Sequence, residues 1–448
     1  MSATTNSPAQ EHGFRALTAA LGLMLGMQVL GWSSVLTSVV TGAALAGSLW
    51  WIHRRPALFW FGVLLLVVAL AGGWWIAVRG VVDVAGSPFH APFFLFLATA
   101  ALARVLQTSD AGEDALLGSA CAYLSLGLAF ASGYEAVEFF SPGAIGGLDL
   151  SGASGPLFSQ LSYFSLVTLT TLGYGDLAPA HPFCESLAVV ESVVGVLFPA
   201  LIVARIVSGY SAGWVTTLDF HERERTRESR VVLAQFVFLP VIILALPWVQ
   251  GTRWGGVIVA ALLLSMTVSG VYFISGRTRV LVVGLGISAA ACVLRVLGGD
   301  FVLFAAVLEV ALIAVVVARM CSWFLRRTVA TTSVIFAAVC IYWMIGIGFA
   351  DAYGLVAHFF PGAVAGSPER SLSPMIYFSF MTLTTTGYGD FAPVTPLSRS
   401  MASLEAFVGV FYPAIVISKL VSLQGTRMTE SGSRNDAEWV TEAERSVR

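Results

Sequence analysis

The sequence predicts an all-α polytopic membrane protein built as two tandem parallel repeats, and three observations carry that prediction. Hydrophobic residues make up 57% of the 448 residues and charged residues 11%, against about 25% charged in a soluble domain. Apolar runs recur along the chain, each ~18–25 residues, the length that crosses a bilayer as a helix. A polar, glycine-punctuated nonapeptide, TLTTLGYGD at 168–176, returns as TLTTTGYGD at 382–390, a shift of 214 positions. So little charge excludes a soluble globular protein of this size.

Taken in order, residues 1–13 are read as a cytoplasmic N-terminal tail. Residues 14–112 form a bundle of four transmembrane helices at 15–31, 34–52, 57–78 and 88–107. Residues 113–208 form a helix–loop–helix module, with spans at 114–139 and 184–207 around the first nonapeptide. A charged cytoplasmic linker at 209–230, carrying HERERTRESR, separates the halves. The second half repeats this order. A four-helix bundle over 231–327 has spans near 231–248, 255–275, 280–297 and 301–325. A second module over 328–422 has spans at 329–357 and 398–422, and 423–448 is a cytoplasmic C-terminal tail, giving about 12 spans.

Basic residues orient the arrangement, because cytoplasmic loops retain Lys and Arg. With the N-terminus inside, only Arg79, Arg253, Arg295, Arg370 and Arg399 of the 24 basic residues fall outside. Each half then enters and leaves on the cytoplasmic face, so the repeats are parallel rather than inverted. Residues 163–208 align with 377–422 without a gap, and Trp32 with Trp248 extends the likeness to the first span. MSATTNSPAQEHGFR lacks a basic n-region, and no small-residue cleavage site follows, so a retained anchor is expected. Lys419 is the only lysine, an arginine bias that points to a GC-rich bacterial genome. The expected location is the plasma membrane, the inner membrane of a bacterium. The five cysteines fall in or beside apolar runs without metal-ligand spacing and read as free thiols.

Each nonapeptide lies between the fifth and sixth spans of its half, at the outer face. Two glycines within three residues disfavour a helix there, and irregular backbone at membrane depth needs protein or a water-filled path around it. Glycines allow alternating backbone twists, so that successive carbonyls point to one side. Four such strands around an axis replace the water shell of a dehydrated cation with carbonyl oxygens. The segment before each nonapeptide reads as a short re-entrant helix, started by Ser373-Pro374 in the second half and Gly155-Pro156 in the first. Both helices are expected to end at the TLTT threonines, with their negative dipole ends favouring a cation. Tyr163, Phe164, Tyr377 and Phe378 supply aromatic bulk behind them.

YFSLVTLTTLGYGD and YFSFMTLTTTGYGD resemble the pore signature of the tetrameric potassium-channel superfamily: outer helix, pore helix, T-x-G-Y-G filter, inner helix. The resemblance is specific over 114–208 and 329–422 and general elsewhere. It implies a selectivity filter of Thr171, Leu172, Gly173, Tyr174 and Gly175 with Thr385, Thr386, Gly387, Tyr388 and Gly389, whose carbonyls hold K+. It places Asp176 and Asp390 at the outer mouth and an inner-helix hinge at Gly195 and Gly409, with Pro199 and Pro413 following. A fixed bend is the other reading of that Gly–Pro pair. Where the family most often has Val, this chain has Leu172 and Thr386. A filter needs four loops and one chain supplies two, so the resemblance implies a homodimer with a pseudo-tetrameric pore. Two six-span halves resemble the two-pore channels of endolysosomes, and the filters resemble the two-pore-domain potassium channels.

Glu191 and Glu405 lie four residues before Gly195 and Gly409, on one helical stripe. Acidic residues at this depth face a cavity, a partner or a path, so these two either line the cavity or hydrogen-bond behind the filter. The leading helices lack the repeated arginines of a voltage sensor. Arg104 and Arg319 read as snorkelling anchors, and Arg79 and Arg295 as partners for Asp83, Asp300 or Glu309. There is no catalytic constellation, nucleotide-binding domain or calcium loop, and no nucleic-acid partner is expected. The expected partners are the bilayer and a second copy, with no cofactor beyond the permeant K+. Two rival readings are a weakly selective cation channel and a K+ uptake transporter of the repeated helix–loop–helix type.

Overall fold

The computed structural model describes residues 56–78, 88–107, 113–149, 157–211, 301–327, 332–366 and 372–446, with isolated helical positions between 240 and 294. The N-terminal tail, the spans at 15–31, 34–52 and 255–275, most of 231–248 and 280–297, and the linker beyond Ser211 lie outside the described residues. So do Arg79, Asp83, Gly155, Pro156, Arg253, Arg295, Asp300 and Arg370.

The first half contributes α1 (Pro56–Val78), α2 (Ala91–Gln107), α3 (Glu113–Phe140), α4 (Leu157–Leu169) and α5 (Pro182–Ser211). The second contributes α6 (Phe301–Arg326), α7 (Thr332–Phe359), α8 (Leu372–Leu383) and α9 (Pro396–Ser446). Within α3, α5, α6, α7 and α9 lie apolar stretches long enough to cross a membrane. The protein is all-α and polytopic. By contrast, α4 and α8 have 13 and 12 residues. At about 1.5 Å per residue they cover roughly 20 Å, short of the ~30 Å hydrocarbon core, as a re-entrant helix requires.

Local chemistry sets where the inner helices begin. Proline opens both α5 and α9, at the position where its missing N–H costs nothing. Before α5, the Phe183 N–H donates to His181 Nδ1 at 3.1 Å. Before α9, the Ser398 N–H donates to Thr395 Oγ1 at 3.2 Å and the Thr395 N–H donates to Ser398 Oγ at 3.1 Å. That exchange is a reciprocal cap. Both helices run past the module ends expected from the sequence, to Ser211 and Ser446, and continue through Pro199 and Pro413. Neighbouring elements in a membrane bundle satisfy the carbonyl that an interior proline frees.

The chain divides into two compact units, Met1–Gly195 with Thr386–Asp390, and Val196–Thr385 with Phe391–Arg448. In the first, α2 packs on α3 and α3 on α4. A Cβ on Gly127 would stand 2.9 Å from Leu166, and the Ser165 hydroxyl lies 2.6 Å from the Gly127 carbonyl oxygen. Tyr134 meets Phe164 edge-on at 4.8 Å. The second unit repeats the scheme with α7 on α8 and α8 on α9. There Ser379 Oγ lies 2.7 Å from the Gly346 carbonyl oxygen, and Tyr353 meets Phe378 edge-on at 4.7 Å. Lipid is as apolar as leucine, so close contact at small residues and interhelical hydrogen bonds drive this packing.

Two short antiparallel ladders, one in each module and invisible in the hydropathy pattern, complete the modules. β1 (Ile145–Gly146) pairs with β2 (Ala178–Pro179), and β3 (Val364–Ala365) with β4 (Ala392–Pro393). Each ties the loop after the outer helix to the segment that leaves the nonapeptide.

Candidate functional site

Each nonapeptide starts as the last turn of a short helix and leaves it by a change of backbone hand. The Thr171 N–H donates to Thr168 O at 2.9 Å, and the Leu172 and Gly173 N–H groups donate to Val167 O at 2.8 and 3.4 Å. A trans peptide points its C=O opposite to its N–H, so the Thr171 and Leu172 carbonyls are turned away from α4. Thr171, Gly173 and Gly175 have φ of 56°, 54° and 77°. Thr385, Gly387 and Gly389 have 59°, 53° and 82°. Positive and negative φ therefore alternate along both strands. A β-branched threonine in the left-handed region costs about 1–3 kcal/mol. Among the described residues, Thr171 and Thr385 are the non-glycine residues held there, at the same position of the nonapeptide in both halves.

Thr386–Asp390 lies beside the first strand in one compact unit. A Cβ on Gly173 would collide with the carbonyl oxygen of Thr386, and one on Gly175 with that of Tyr388. The Tyr388 hydroxyl bonds to that of Thr168, and its ring stacks on Phe164 with centroids 5.8 Å apart. The strands differ in exposure. Thr386 and Tyr388 are 2% and 7% exposed, Leu172 and Tyr174 52% and 67%.

Behind each strand is a buried carboxyl group. Glu191 accepts from the Tyr134 hydroxyl at 2.7 Å, and its other oxygen lies 2.5 Å from Ser165 Oγ. Glu405 accepts from the Tyr353 hydroxyl at 2.8 Å and lies 2.5 Å from Ser379 Oγ. Both side chains are fully buried, and each joins outer, pore and inner helices of its module. Of the two placements the sequence left open, the structure has the hydrogen-bonded one.

Gly195 and Gly409 have a packing reason to be glycine. A Cβ on either would strike the carbonyl oxygen that ends the pore helix, Leu169 or Leu383. The same carbonyls accept from the Tyr123 hydroxyl at 2.7 Å and the Tyr342 hydroxyl at 3.2 Å. Close approach of two backbones, rather than flexibility, is what the geometry requires there.

At the end of the first strand, Asp176 accepts from the Tyr163 hydroxyl at 2.9 Å. Its main-chain carbonyl occupies the place of a Cβ on Gly147, where φ is +88°. Glu185 stands in the first turn of α5. Glu138 accepts from the Gly143 and Ile145 N–H groups at 2.6 and 3.1 Å and so braces the β1 turn.

Sequence reasoning missed the donors that hold the glutamates. Ser165 and Ser379 stand inside the shared YFS triplet. Tyr134 with Tyr353, and Tyr123 with Tyr342, match at a shift of 219 instead of 214. A gapped self-alignment reveals them; a single fixed shift does not. Among the described residues no cluster of His, Cys, Asp and Glu suits a metal ion.

Both modules match known sequences. The ion channel family matches residues 134–211 and 329–424, which take in the end of α3 with α4 and α5 in the first half and α7, α8 and the membrane-length part of α9 in the second. Protein LctB of Geobacillus stearothermophilus is 35% identical over 82 residues, which are 17% of this chain and 60% of that protein. Protein LctB of Bacillus caldotenax matches over the same shares with the same identity. The chain thus spans less than two thirds of these relatives. No solved structure matches. The family match falls on each of the two modules, and both carry the same buried scaffold of glutamate, tyrosine and serine.

Proposed function

We propose that the protein is a potassium-selective channel that conducts K+ passively through a filter built from two TxGYGD loops per chain in a homodimer. The observation that carries this reading is the pair of filter strands lying side by side. Each alternates its backbone hand, and the carbonyls of one abut the glycines of the other. Carbonyls on a common axis replace the hydration shell of a cation. Carboxylates Asp176 and Asp390 near the strand ends raise the local cation concentration. In this reading the filters sit at the outer face of a plasma membrane with both termini cytoplasmic, and Glu191 and Glu405 hold the filter from behind.

The reversal potential of purified protein in a planar bilayer tests it, under opposed K+ and Na+ gradients. A value at the K+ equilibrium potential, lost in Tyr174→Ala with Tyr388→Ala, is expected. A value near zero turns the reading to a weakly selective cation channel, with Leu172 and Thr386 as the cause. Saturable K+ uptake without single-channel current turns it to a transporter.

A further inference from the structure

The filter presents two unlike edges, and the repeat predicts what the second one meets. At the first edge, within the chain, Gly173 and Gly175 are covered by the Thr386 and Tyr388 carbonyls. At the second edge a Cβ on Gly387 or Gly389 meets no described atom within 4 Å. The groups that the repeat assigns to cover this edge are Leu172 and Tyr174, the exposed pair. They belong to the opposite edge of the same filter, so a second copy must bring them.

The charges at the outer ends of these two edges are not the same. A shift of 214 carries Asp176 onto Asp390 and Glu185 onto Arg399. The edge inside the chain therefore carries carboxylates at both of these positions, Glu185 and Asp390. The equivalent edge between copies brings Arg399 of one to Asp176 of the other. Both side chains are exposed. Arg399 uses Nε on the Pro393 carbonyl at 3.3 Å, which leaves the two terminal amino groups of its guanidinium for a carboxylate. Asp176 takes one hydrogen bond from Tyr163 and has lone pairs left over.

We infer that a second copy of this chain docks its Leu172–Gly175 strand against Gly387 and Gly389, and that Arg399 pairs with Asp176 of the partner subunit at the outer end of that seam. The inference rests on the dimeric channel reading. Its physical logic is a division of labour between seams. The seam within a chain is held by covalent connection, so the first edge tolerates like charges. The seam between chains has to form by encounter, and opposite charges steer it and disfavour a wrong edge. Two-fold symmetry makes the pair occur twice.

Asp176→Cys with Arg399→Cys in the full chain, treated in membranes with a short bismaleimide, tests the seam. Covalent dimer is expected from this pair. Glu185→Cys with Asp390→Cys is expected to yield none, since its link closes inside one chain, and each single variant sets the background. In a charge-reversal series read by light scattering in detergent, Arg399→Asp lowers the dimer fraction and Asp176→Arg in the same chain restores it. Covalent dimer from the Glu185/Asp390 pair alone, or no restoration by the swap, overturns the seam while a dimeric wild type keeps the channel reading intact. A monomeric wild type that still conducts overturns both the dimer and the seam.

Discussion

The two GYGD strands share one scaffold and have opposite surroundings. Thr386 and Tyr388 are buried against the first module, whereas Leu172 and Tyr174 are open. The backbone is nevertheless the same, with φ values that agree within about five degrees at each of the three positive-φ positions. Strand conformation is thus fixed locally, by the pore helix behind it and by its glycines, and does not depend on the neighbouring strand. What the neighbour adds is side-chain support. That separation predicts which substitutions act alike in both halves and which do not.

The largest effects are expected at the filter glycines. Gly173→Ala forces a left-handed residue, which costs about 1–2 kcal/mol, and drives a Cβ into the Thr386 carbonyl. K+ flux into vesicles should be abolished. Within one chain Gly387→Ala has only the backbone penalty. Equal loss of flux in both variants means that a partner's carbonyl occupies the second edge. Preserved flux in Gly387→Ala breaks the equivalence of the strands.

Next come the inner-helix glycines, where the halves should behave alike. A Cβ at Gly195 or Gly409 strikes the end of its pore helix, and overpacking of this kind costs about 1–3 kcal/mol. Gly195→Ala and Gly409→Ala should each lower the unfolding temperature in detergent. A hinge role predicts the contrary pattern, an unchanged unfolding temperature with altered opening and closing of single channels.

Removing the buried carboxyls should produce a smaller, matched pair of effects. Glu191→Leu strands the hydroxyl of Tyr134 and Glu405→Leu that of Tyr353, while Ser165 and Ser379 keep the glycine carbonyls they already lie against. Each abandoned tyrosine hydroxyl costs about 1–3 kcal/mol where no water can reach it. Thermal unfolding and the decay of K+ current under sustained voltage read the two halves separately. A loss confined to one half shows that the clusters are not equivalent supports.

Why the glutamates could be placed only in part from sequence is a matter of direction. Glu191 and Gly195 share a helical stripe, and that much follows from spacing. Which neighbour the stripe faces depends on how α5 is rotated against α3 and α4, and that rotation is set by the contacts of Gly127, Ser165 and Gly195 with backbone carbonyls. The turn out of each short helix, by contrast, was legible because glycine spacing is a local signal, although α8 already begins at Leu372, ahead of the Ser373-Pro374 pair expected to start it. The ladders of β1 with β2 and β3 with β4 were not. Two residues per strand leave no periodicity to read, and they exist because the loops are pinned at both ends. The inner helices outrun the expected module ends because hydropathy marks where the membrane stops and not where helical hydrogen bonding stops.

The smallest effect separates the two edges most finely. Tyr388→Phe removes one hydroxyl, the partner of Thr168, and leaves the ring on Phe164. A side-chain hydrogen bond in a membrane protein is worth about 0.6 kcal/mol on average, so conduction should survive with a small shift of the K+/Na+ reversal potential toward zero. If the proposed seam forms, the repeat puts the hydroxyl of Tyr174 on Thr382 of the partner subunit. Tyr174→Phe should then produce a shift of the same size, and the double variant about twice that, since widely separated sites add. An unshifted Tyr174→Phe means that the seam between copies lacks this bond and that its opposite charges carry the register by themselves.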